Sequence, residues 1–291
     1  MDATQFLSTE LILNDFDRWF VEDGLDEGDI TSEVLFGVSE QVDMRLVARE
    51  PMIVCGLEPV ARGVEGMNLG VSVRASVDDG QQVSSGEVLA EVSGNRRPIL
   101  ASERALLNLL GRLAGVATCT RQYVEAVAGT GAVITDTRKT MPGLRVWDKY
   151  AVLCGGGTSH RMGLDDAALF KDNHFAGLPP EDFVRVLSNA VARARADRDL
   201  SFVEVEVDTL EQFDLVLKVP GVDIVLLDNM PPDMMREAVA KRDAAAPHIQ
   251  LEASGGITLA TVRAVAECGV DRIAIGALTR DATMLDIGLD A

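Results

Sequence analysis

Apolar residues recur at helical spacing near the start of the chain, where Ile12, Phe16 and Phe20 follow one another at intervals of about one turn. Ser8 precedes this run and is a residue type that caps helix N-termini, and Gly24 follows it as a stop signal. The pattern therefore predicts an amphipathic first helix.

Between residues 44 and 94 the pattern changes to short apolar runs with β-branched residues, separated by turn residues such as Asp79 and Gly80. This texture predicts a small mixed domain. A helix is then predicted to begin at Ser102 as its N-cap, with a shared apolar face from Leu106 onward, and a second helical stretch is predicted to reach Gly129.

The second half of the chain alternates short, continuously apolar runs with helical segments, which is typical of buried parallel strands joined by helices. Glu206, Asp228, Glu252 and Ala274 lie at nearly equal intervals, each at or near the end of a run. Such even units favour an α/β barrel over a doubly wound sheet. In a barrel these acids face one mouth, although acids at strand ends also cap the following helix. The predicted strands are AVITDT, ALFKDN, SFVEVEV, VDIVLLDN, IQLEAS and DRIAIGA.

Composition narrows the function classes. The chain has 291 residues, 46 acids against 27 bases and a formal net charge of -19, which disfavours a nucleic-acid or anionic-membrane partner. The four cysteines form no CxxC pair, so neither a zinc ribbon nor a disulfide scaffold is indicated. The N-terminal residues do not have the pattern of a secretion signal and no apolar run is long enough to cross a bilayer. We therefore expect a soluble, cytoplasmic protein.

Positive charge nevertheless collects beside predicted strand ends and a run of three glycines at 155–157. A dispersed set of solvated surface cations is one interpretation. The other is a binding site for a polyanionic ligand, because arginine forks bind carboxylate and phosphate oxygens. The residues concerned are Arg104, Arg138, Lys139, His160, Arg161 and Lys171.

Glycines directly follow the last two predicted strands, in EASGGI at 252–257 and IGAL at 275–278. Barrel enzymes often bind phosphate at these loops. Together with acids that suit Mg²⁺ or ribose hydroxyls, the glycines indicate a sugar phosphate. No GxSxG, HExxH, P-loop or GxGxxG motif competes with this interpretation.

The chain resembles the quinolinate phosphoribosyltransferase family along nearly its whole length. The resemblance is carried by motifs in family order: EGDITS, SERALLNLLGRLAGVAT, DTRKTMPGL, KYAVLCGGGTSHRMGL, LFKDNH, EVEVDTLEQ, VLLDN, EASGGI and IGALT.

This resemblance implies an α/β fold in which an N-terminal open-faced α/β sandwich, at 1–114, precedes an irregular, TIM-like α/β barrel at 115–278. The tail at 279–291 is a candidate to pack on the sandwich. It also implies a homodimer in which the sandwich of one subunit caps the barrel of the other. The implied reaction joins quinolinate to 5-phosphoribosyl-1-diphosphate with Mg²⁺, giving nicotinate mononucleotide, CO₂ and diphosphate.

The resemblance also implies roles for individual residues, with Lys139, Glu206 and Asp228 as the catalytic set. Glu206 and Asp228 would hold ribose hydroxyls and Mg²⁺, and Arg104 would reach in from the neighbouring subunit. The anionic pocket would be lined by Arg138, Lys139, His160, Arg161 and Lys171, and the 5-phosphate would be held by Ser254, Gly255, Gly256, Gly276 and Ala277.

One departure from the family pattern concerns the acceptor. Ser159 stands where the family usually has asparagine before the His-Arg pair, and a hydroxyl reaches less far than an amide. A paralogous phosphoribosyltransferase acting on a different aromatic acid is therefore an alternative. A non-enzymatic binding protein is a further alternative, disfavoured because a passive binder does not need Lys139 together with Glu206 and Asp228.

Overall fold

The computed structural model describes residues 7–175 and 177–291, which form two compact units. The first comprises the chain up to residue 121 with 141–156 and 278–291, and the second comprises 122–140 and 157–277. The helices are α1 (Thr9–Glu22), α2 (Ile30–Leu35), α3 (Leu57–Gly66), α4 (Arg96–Ala126), α5 (Arg145–Cys154), α6 (Phe183–Asp197), α7 (Leu210–Val216), α8 (Pro232–Ala245), α9 (Val262–Ala266) and α10 (Ala277–Arg280). The strands are β1 (Gln41–Ala48), β2 (Met52–Ile53), β3 (Val71–Ala75), β4 (Gln82–Val83), β5 (Val88–Asn95), β6 (Val133–Thr135), β7 (Ala168–Phe170), β8 (Val203–Val207), β9 (Ile224–Asp228), β10 (Gln250–Ser254), β11 (Arg272–Ala274) and β12 (Ile287–Asp290).

The first unit is built on a four-stranded antiparallel sheet in the order β12-β1-β5-β3. The last strand pairs Asp290 with Arg45, so the C-terminal segment belongs to this sheet. Helix α1 packs closely on α3, since a Cβ added to Gly63 would overlap the ring of Phe16, which is fully buried. The predicted first helix is confirmed, and Ser8 caps it by accepting a hydrogen bond from the Leu11 N–H at 3.2 Å.

Helix α4 corrects the prediction of two helices starting at Ser102. It is one helix of 31 residues from Arg96 to Ala126. Ser102 lies inside it, and its hydroxyl donates to the carbonyl oxygens of Pro98 at 2.7 Å and Ile99 at 3.3 Å. Serine can satisfy its hydroxyl in this way within a helix, and proline is tolerated in a first turn, so neither residue ends the helix.

The second unit contains a six-stranded parallel sheet in the order β6-β11-β10-β9-β8-β7. Each strand coincides with one of the six predicted apolar runs, and the α/β class is confirmed. Strands β8 to β10 are almost entirely buried, as parallel strands covered by helices are. Within the described residues, the sheet continues beyond β6 only through an isolated β-bridge between Thr135 and Thr158. The barrel-like sheet is therefore irregular at this position.

The predicted division between residues 114 and 115 falls within α4. As a domain boundary it stays a prediction. In the described part of the chain, no helix combines the length and the apolar character that a membrane span requires.

Candidate active site

The carboxyl ends of the parallel strands share one edge of the sheet in the second unit, because parallel strands point the same way. Each strand brings at least one of the predicted site residues to this edge. They are Arg138 and Lys139 after β6, Lys171 after β7, Glu206 in β8, Asp228 in β9, Ser254 with Gly255 and Gly256 at the end of β10, and Gly276 with Ala277 after β11.

Lys139 lies against the predicted phosphate loop after β11. A Cβ added to Gly276 would come within 2.9 Å of the Lys139 Cδ and 3.8 Å of its Nζ. The turn that directs this lysine is held by the Thr137 hydroxyl, which accepts from the Lys139 N–H at 3.0 Å. A predicted catalytic cation and a glycine loop that are far apart in sequence are thus neighbours in space.

The loops after β9 and β10 lock into one another. Gly255 has φ of +100°, and a Cβ there would overlap Asn229 Oδ1 and lie 2.9 Å from the Asn229 backbone nitrogen. The Asn229 N–H in turn donates to the Ser254 carbonyl at 2.9 Å, and its side-chain amide donates to Asp228 at 2.6 Å. This interlock requires glycine at position 255 and orients the predicted metal-binding carboxylate.

Lys171 and Glu206 contact one another directly, with the lysine Nζ donating to the glutamate Oε2. The resemblance implied that Lys171 lines the anionic pocket and that Glu206 holds ribose hydroxyls and Mg²⁺. In this contact the two opposite charges neutralise each other. Binding of an anion by Lys171 would release Glu206 for a cation or for hydroxyl groups.

Asp208 belongs to the same edge and was missed by the sequence analysis. Burial raises the pKa of Asp208, and the negative charges of Asp228 and Asp172 raise it further. Like charges this close are relieved by a dication, and carboxylate oxygens are the ligands that Mg²⁺ prefers. The residues present therefore suit Mg²⁺. The sequence signal that could have identified Asp208 is its position, because it directly follows a strand in the same way that Asp228 ends one.

Arg138 and Arg161 add two guanidinium groups to the cations of this site. Burial lowers the pKa of Arg161, and the positive charge of Arg138 lowers it further, so the two guanidinium groups are close enough to repel. The buried Arg138 Nε makes no hydrogen bond within the described residues. An anion between these side chains would satisfy both, which fits the predicted acid substrate.

His160 occupies a different place from the one expected. Its Nε2 lies 2.9 Å from Glu204 Oε2 and 3.3 Å from Glu252 Oε1, and its Nδ1 accepts from the Arg161 N–H at 2.7 Å. Both ring nitrogens are therefore engaged within the protein, and the imidazole as placed does not offer a donor to substrate. Glu252, which was expected to face the mouth, is fully buried in this cluster.

The charges of this cluster are strongly coupled. Burial lowers the pKa of His160, but hydrogen bonds to Glu204 and Glu252 outweigh it and raise the pKa to about 9. The Arg161 N–H favours the neutral ring instead, because it needs an unprotonated Nδ1. Burial and the charge of Glu252 raise the pKa of Glu204. With Nδ1 accepting from the Arg161 N–H, the ring is neutral and its proton is on Nε2, which lies 2.9 Å from Glu204 and 3.3 Å from Glu252.

Comparison with known proteins gives the family. The family described as "Quinolinate phosphoribosyl transferase, C-terminal domain" matches this chain over residues 116–290, and the N-terminal domain of the same family matches it over residues 29–114. The chain belongs to the quinolinate phosphoribosyltransferase family. It is 43% identical over 265 residues to nicotinate-nucleotide pyrophosphorylase (carboxylating) of Mycobacterium leprae, with 90% of each chain covered. It is 38% identical over 284 residues to the probable enzyme of that name from Bacillus subtilis, covering 98% of this chain and 93% of the relative.

Solved structures of quinolinate phosphoribosyltransferase relatives share the fold. The nicotinate-nucleotide pyrophosphorylase of Francisella tularensis superposes with a TM-score of 0.86 at 32% identity, covering 98% of this chain and 97% of that one. The recognition made from the motifs is thereby confirmed.

Two positions singled out in the quinolinate phosphoribosyltransferase motifs remain. Arg104 lies on α4 in the first unit, where it lines a cleft of about 660 Å³ together with Arg18 and Arg112. Its side chain is 66% exposed, and its nearest acidic partner, Glu103, is 3.9 Å away, which leaves it available to a ligand. The Ser159 hydroxyl donates to the His160 carbonyl at 2.8 Å, so this departure from the family pattern serves the loop itself.

Proposed function

We propose that this protein transfers the phosphoribosyl group of 5-phosphoribosyl-1-diphosphate to quinolinate with decarboxylation, as a step of NAD biosynthesis. The products are nicotinate mononucleotide, CO₂ and diphosphate. The observation that carries the proposal is identity of 37–43% to relatives named for this activity over nearly the whole chain. The charges at the strand edge of the second unit support it.

The acceptor acid has two adjacent carboxylates, which need several cations in one place. Arg138 and Arg161 supply neighbouring guanidinium groups, and Lys171 supplies an ammonium group that is paired with Glu206 before the acid binds. Guanidinium forks bind carboxylates in a fixed orientation. These three residues therefore orient the ring nitrogen of quinolinate towards the sugar.

The phosphoribosyl donor is anionic at both ends. The interlocked loop at Ser254 to Gly256 and the loop at Gly276 expose backbone to its 5-phosphate, and Lys139 brings a positive charge to the second of these loops. Negative charge grows on the departing diphosphate, and Lys139 stabilises it there.

Mg²⁺ belongs with the donor in this proposal, and Glu206, Asp228 and Asp208 are the residues that would hold it. When bound, the ion neutralises diphosphate oxygens and organises the ribose hydroxyls.

The reaction needs positioning more than acid–base chemistry. The bond from ribose C1 to the diphosphate oxygen breaks, a bond from C1 to the quinolinate nitrogen forms, and the electron pair leaves with diphosphate. The positive charge on the quaternary nitrogen then stabilises the electron pair left on the neighbouring ring carbon when its carboxylate departs as CO₂, and that carbon takes up a proton from solvent. The site supplies fixed charges and orientation, so the reaction does not require a nucleophile or a general-base pair.

The protein would act as a cytoplasmic homodimer in which Arg104 completes the anionic pocket of the partner subunit. The support for this arrangement is the family resemblance of the SERALLN segment and the exposure of the Arg104 side chain.

The test is release of CO₂ from carboxyl-labelled quinolinate with 5-phosphoribosyl-1-diphosphate and Mg²⁺, with nicotinate as the control acceptor. Release that requires all three components supports the proposal, and nicotinate should yield none. Diphosphate formation with another aromatic acid, but not with quinolinate, would identify a paralogous transferase. Tight binding without turnover of any acid would identify a binding protein.

A further inference from the structure

Two glutamates are buried inside the parallel sheet, where a carboxylate is costly. Glu204 on β8 and Glu252 on β10 both have 0% exposure. Removing a carboxylate from water costs several kcal/mol unless partners compensate for it. Neither residue is among those assigned to the substrates above, so their burial needs a separate explanation.

Both glutamates converge on one side chain. The His160 Nε2 lies 2.9 Å from Glu204 and 3.3 Å from Glu252, within ion-pair distance of both carboxylates. The other carboxylate oxygen of Glu252 accepts from Arg272 Nε at 2.8 Å. The edge of the imidazole packs against Phe202, with ring centroids 5.2 Å apart. The orientation of the imidazole is therefore fixed by charge and by packing.

The fixed ring in turn holds the backbone that carries Arg161. The Arg161 N–H donates to His160 Nδ1 at 2.7 Å, and the preceding N–H, that of His160, donates to Asp136 at 2.9 Å. The Arg161 guanidinium is steadied by the Ala167 carbonyl at 3.0 Å. A chain of contacts thus leads from the two buried acids to the direction of one substrate-facing cation.

A buried metal ion is the competing explanation, because His160, Glu204 and Glu252 are the compact group of three metal-ligand types found among the described residues. Arg272 argues against it. Its guanidinium already neutralises Glu252, and a second cation in contact with the same carboxylate would be repelled. The His160 Nε2 and Glu204 Oε2 atoms are 2.9 Å apart, which is an ion-pair distance, and no aligned hydrogen-bond donor meets either Glu204 oxygen among the described residues.

We propose that Glu204 and Glu252 are positioning residues for the acceptor acid, which act through His160 to set the orientation of Arg161. The inference rests on the proposed function. It concerns the acceptor alone, because the donor loops are held by other contacts, those of Asn229 with Gly255 and of Lys139 with Gly276. Loss of the cluster should therefore weaken acid binding selectively.

The experiment compares Glu204→Leu with Glu204→Gln. Leucine removes the acceptor while keeping the side-chain size, and glutamine keeps an oxygen for the Nε2 proton. We expect Glu204→Leu to raise the KM for quinolinate about 10-fold or more while the KM for the donor changes less than about twofold. Glu204→Gln should recover most of the loss. Calorimetric binding of quinolinate alone should show the same order of affinities.

Asp271→Asn is the matched control. Asp271 is an acid that accepts from Leu251 N–H at 2.7 Å and from Arg242 at 2.6 Å. It directly precedes β11, at the opposite end of the strands from the site. Its loss should lower the melting temperature without changing the ratio of the two KM values.

Equal increases of both KM values in Glu204→Leu, or a KM ratio no different from that of Asp271→Asn, would overturn the positioning role. Failure of the wild type to turn over quinolinate would refute the proposed function instead. If the wild type uses another aromatic acid, the same comparison with that acid decides the positioning role separately.

Discussion

Gly255 shows how one residue shapes the donor site. Its φ of +100° and the crowding of its Cβ position against Asn229 make Gly255→Ala unfavourable by about 1–3 kcal/mol. Because the strained loop would shift the backbone that faces the 5-phosphate, the KM for the donor should rise by about 10-fold. Steady-state kinetics and thermal denaturation measure both effects.

Gly256→Ala is the control for this prediction. Gly256 also has a positive φ, +61°, but a Cβ there meets nothing within 4 Å. A left-handed alanine costs roughly 1–2 kcal/mol without a steric clash, so the donor KM should change much less. Equal KM changes in the two variants would show that the clash with Asn229 is not what matters.

Asp208 makes a prediction whose sign depends on pH. Its pKa in the fold lies above the unfolded value because of burial and the nearby carboxylates of Asp228 and Asp172. The ionised form therefore destabilises the fold at pH values above that pKa, and the penalty decreases as pH falls from the folded to the unfolded pKa. We expect Asp208→Asn to raise the melting temperature near neutral pH but not in acid.

The same variant should need more Mg²⁺ for half-maximal activity, since it removes a proposed ligand. Glu237→Gln, an exposed change on α8, is the control and should alter neither the melting temperature at different pH values nor the Mg²⁺ requirement. If Asp208→Asn lowered the melting temperature at neutral pH, the interpretation of like-charge crowding would be wrong.

At the scale of elements, the parallel strands were predictable because their burial leaves continuous apolar runs between turn signals. The strand-end residues followed from the same reasoning, since parallel strands bring their carboxyl ends to one edge. What sequence could not give was the partner of each polar side chain. Glu252 was expected to face the mouth, yet contacts with His160 and Arg272 hold it in the interior, and such long-range pairing has no periodic signal.

Helix α4 shows a second limit of sequence reasoning. Ser102 has the residue type of an N-cap, but its hydroxyl donates hydrogen bonds to carbonyl groups of its own helix. Ser102→Ala should therefore change the free energy of unfolding by less than about 0.5 kcal/mol, because alanine is the better helix former. Ser8→Ala removes a true cap and should cost about 1 kcal/mol.

Urea denaturation of both serine variants measures this difference. If Ser102→Ala lowered the free energy of unfolding as much as Ser8→Ala, the hydrogen bonds of the Ser102 hydroxyl would stabilise the helix as an N-cap does, contrary to the structure.

At the scale of the whole molecule, the charge gathered at the proposed site is opposite in sign to the net charge of the protein. A protein of net charge -19 must bind two anionic substrates, so its field repels them and local cations have to overcome that repulsion. Cations at the strand edge of the second unit provide part of this charge. In the proposed homodimer, Arg104 from the partner provides the rest.

Complementation between two inactive variants tests that arrangement. Arg104→Ala would damage the site of the partner, whereas Lys139→Ala damages the site of its own subunit. In mixed dimers one site carries both changes and the other carries neither, so a reassorted equal mixture should recover roughly a quarter of wild-type activity. Each variant alone should stay inactive. The control is a mixture of Lys139→Ala with Asp228→Ala, two changes in the second structural unit of the chain. This mixture should recover activity to the same extent only if Asp228 and Lys139 served the active sites of different subunits. Recovery by the first pair alone means that Arg104 acts across the dimer; no recovery by either means that each subunit builds its site unaided.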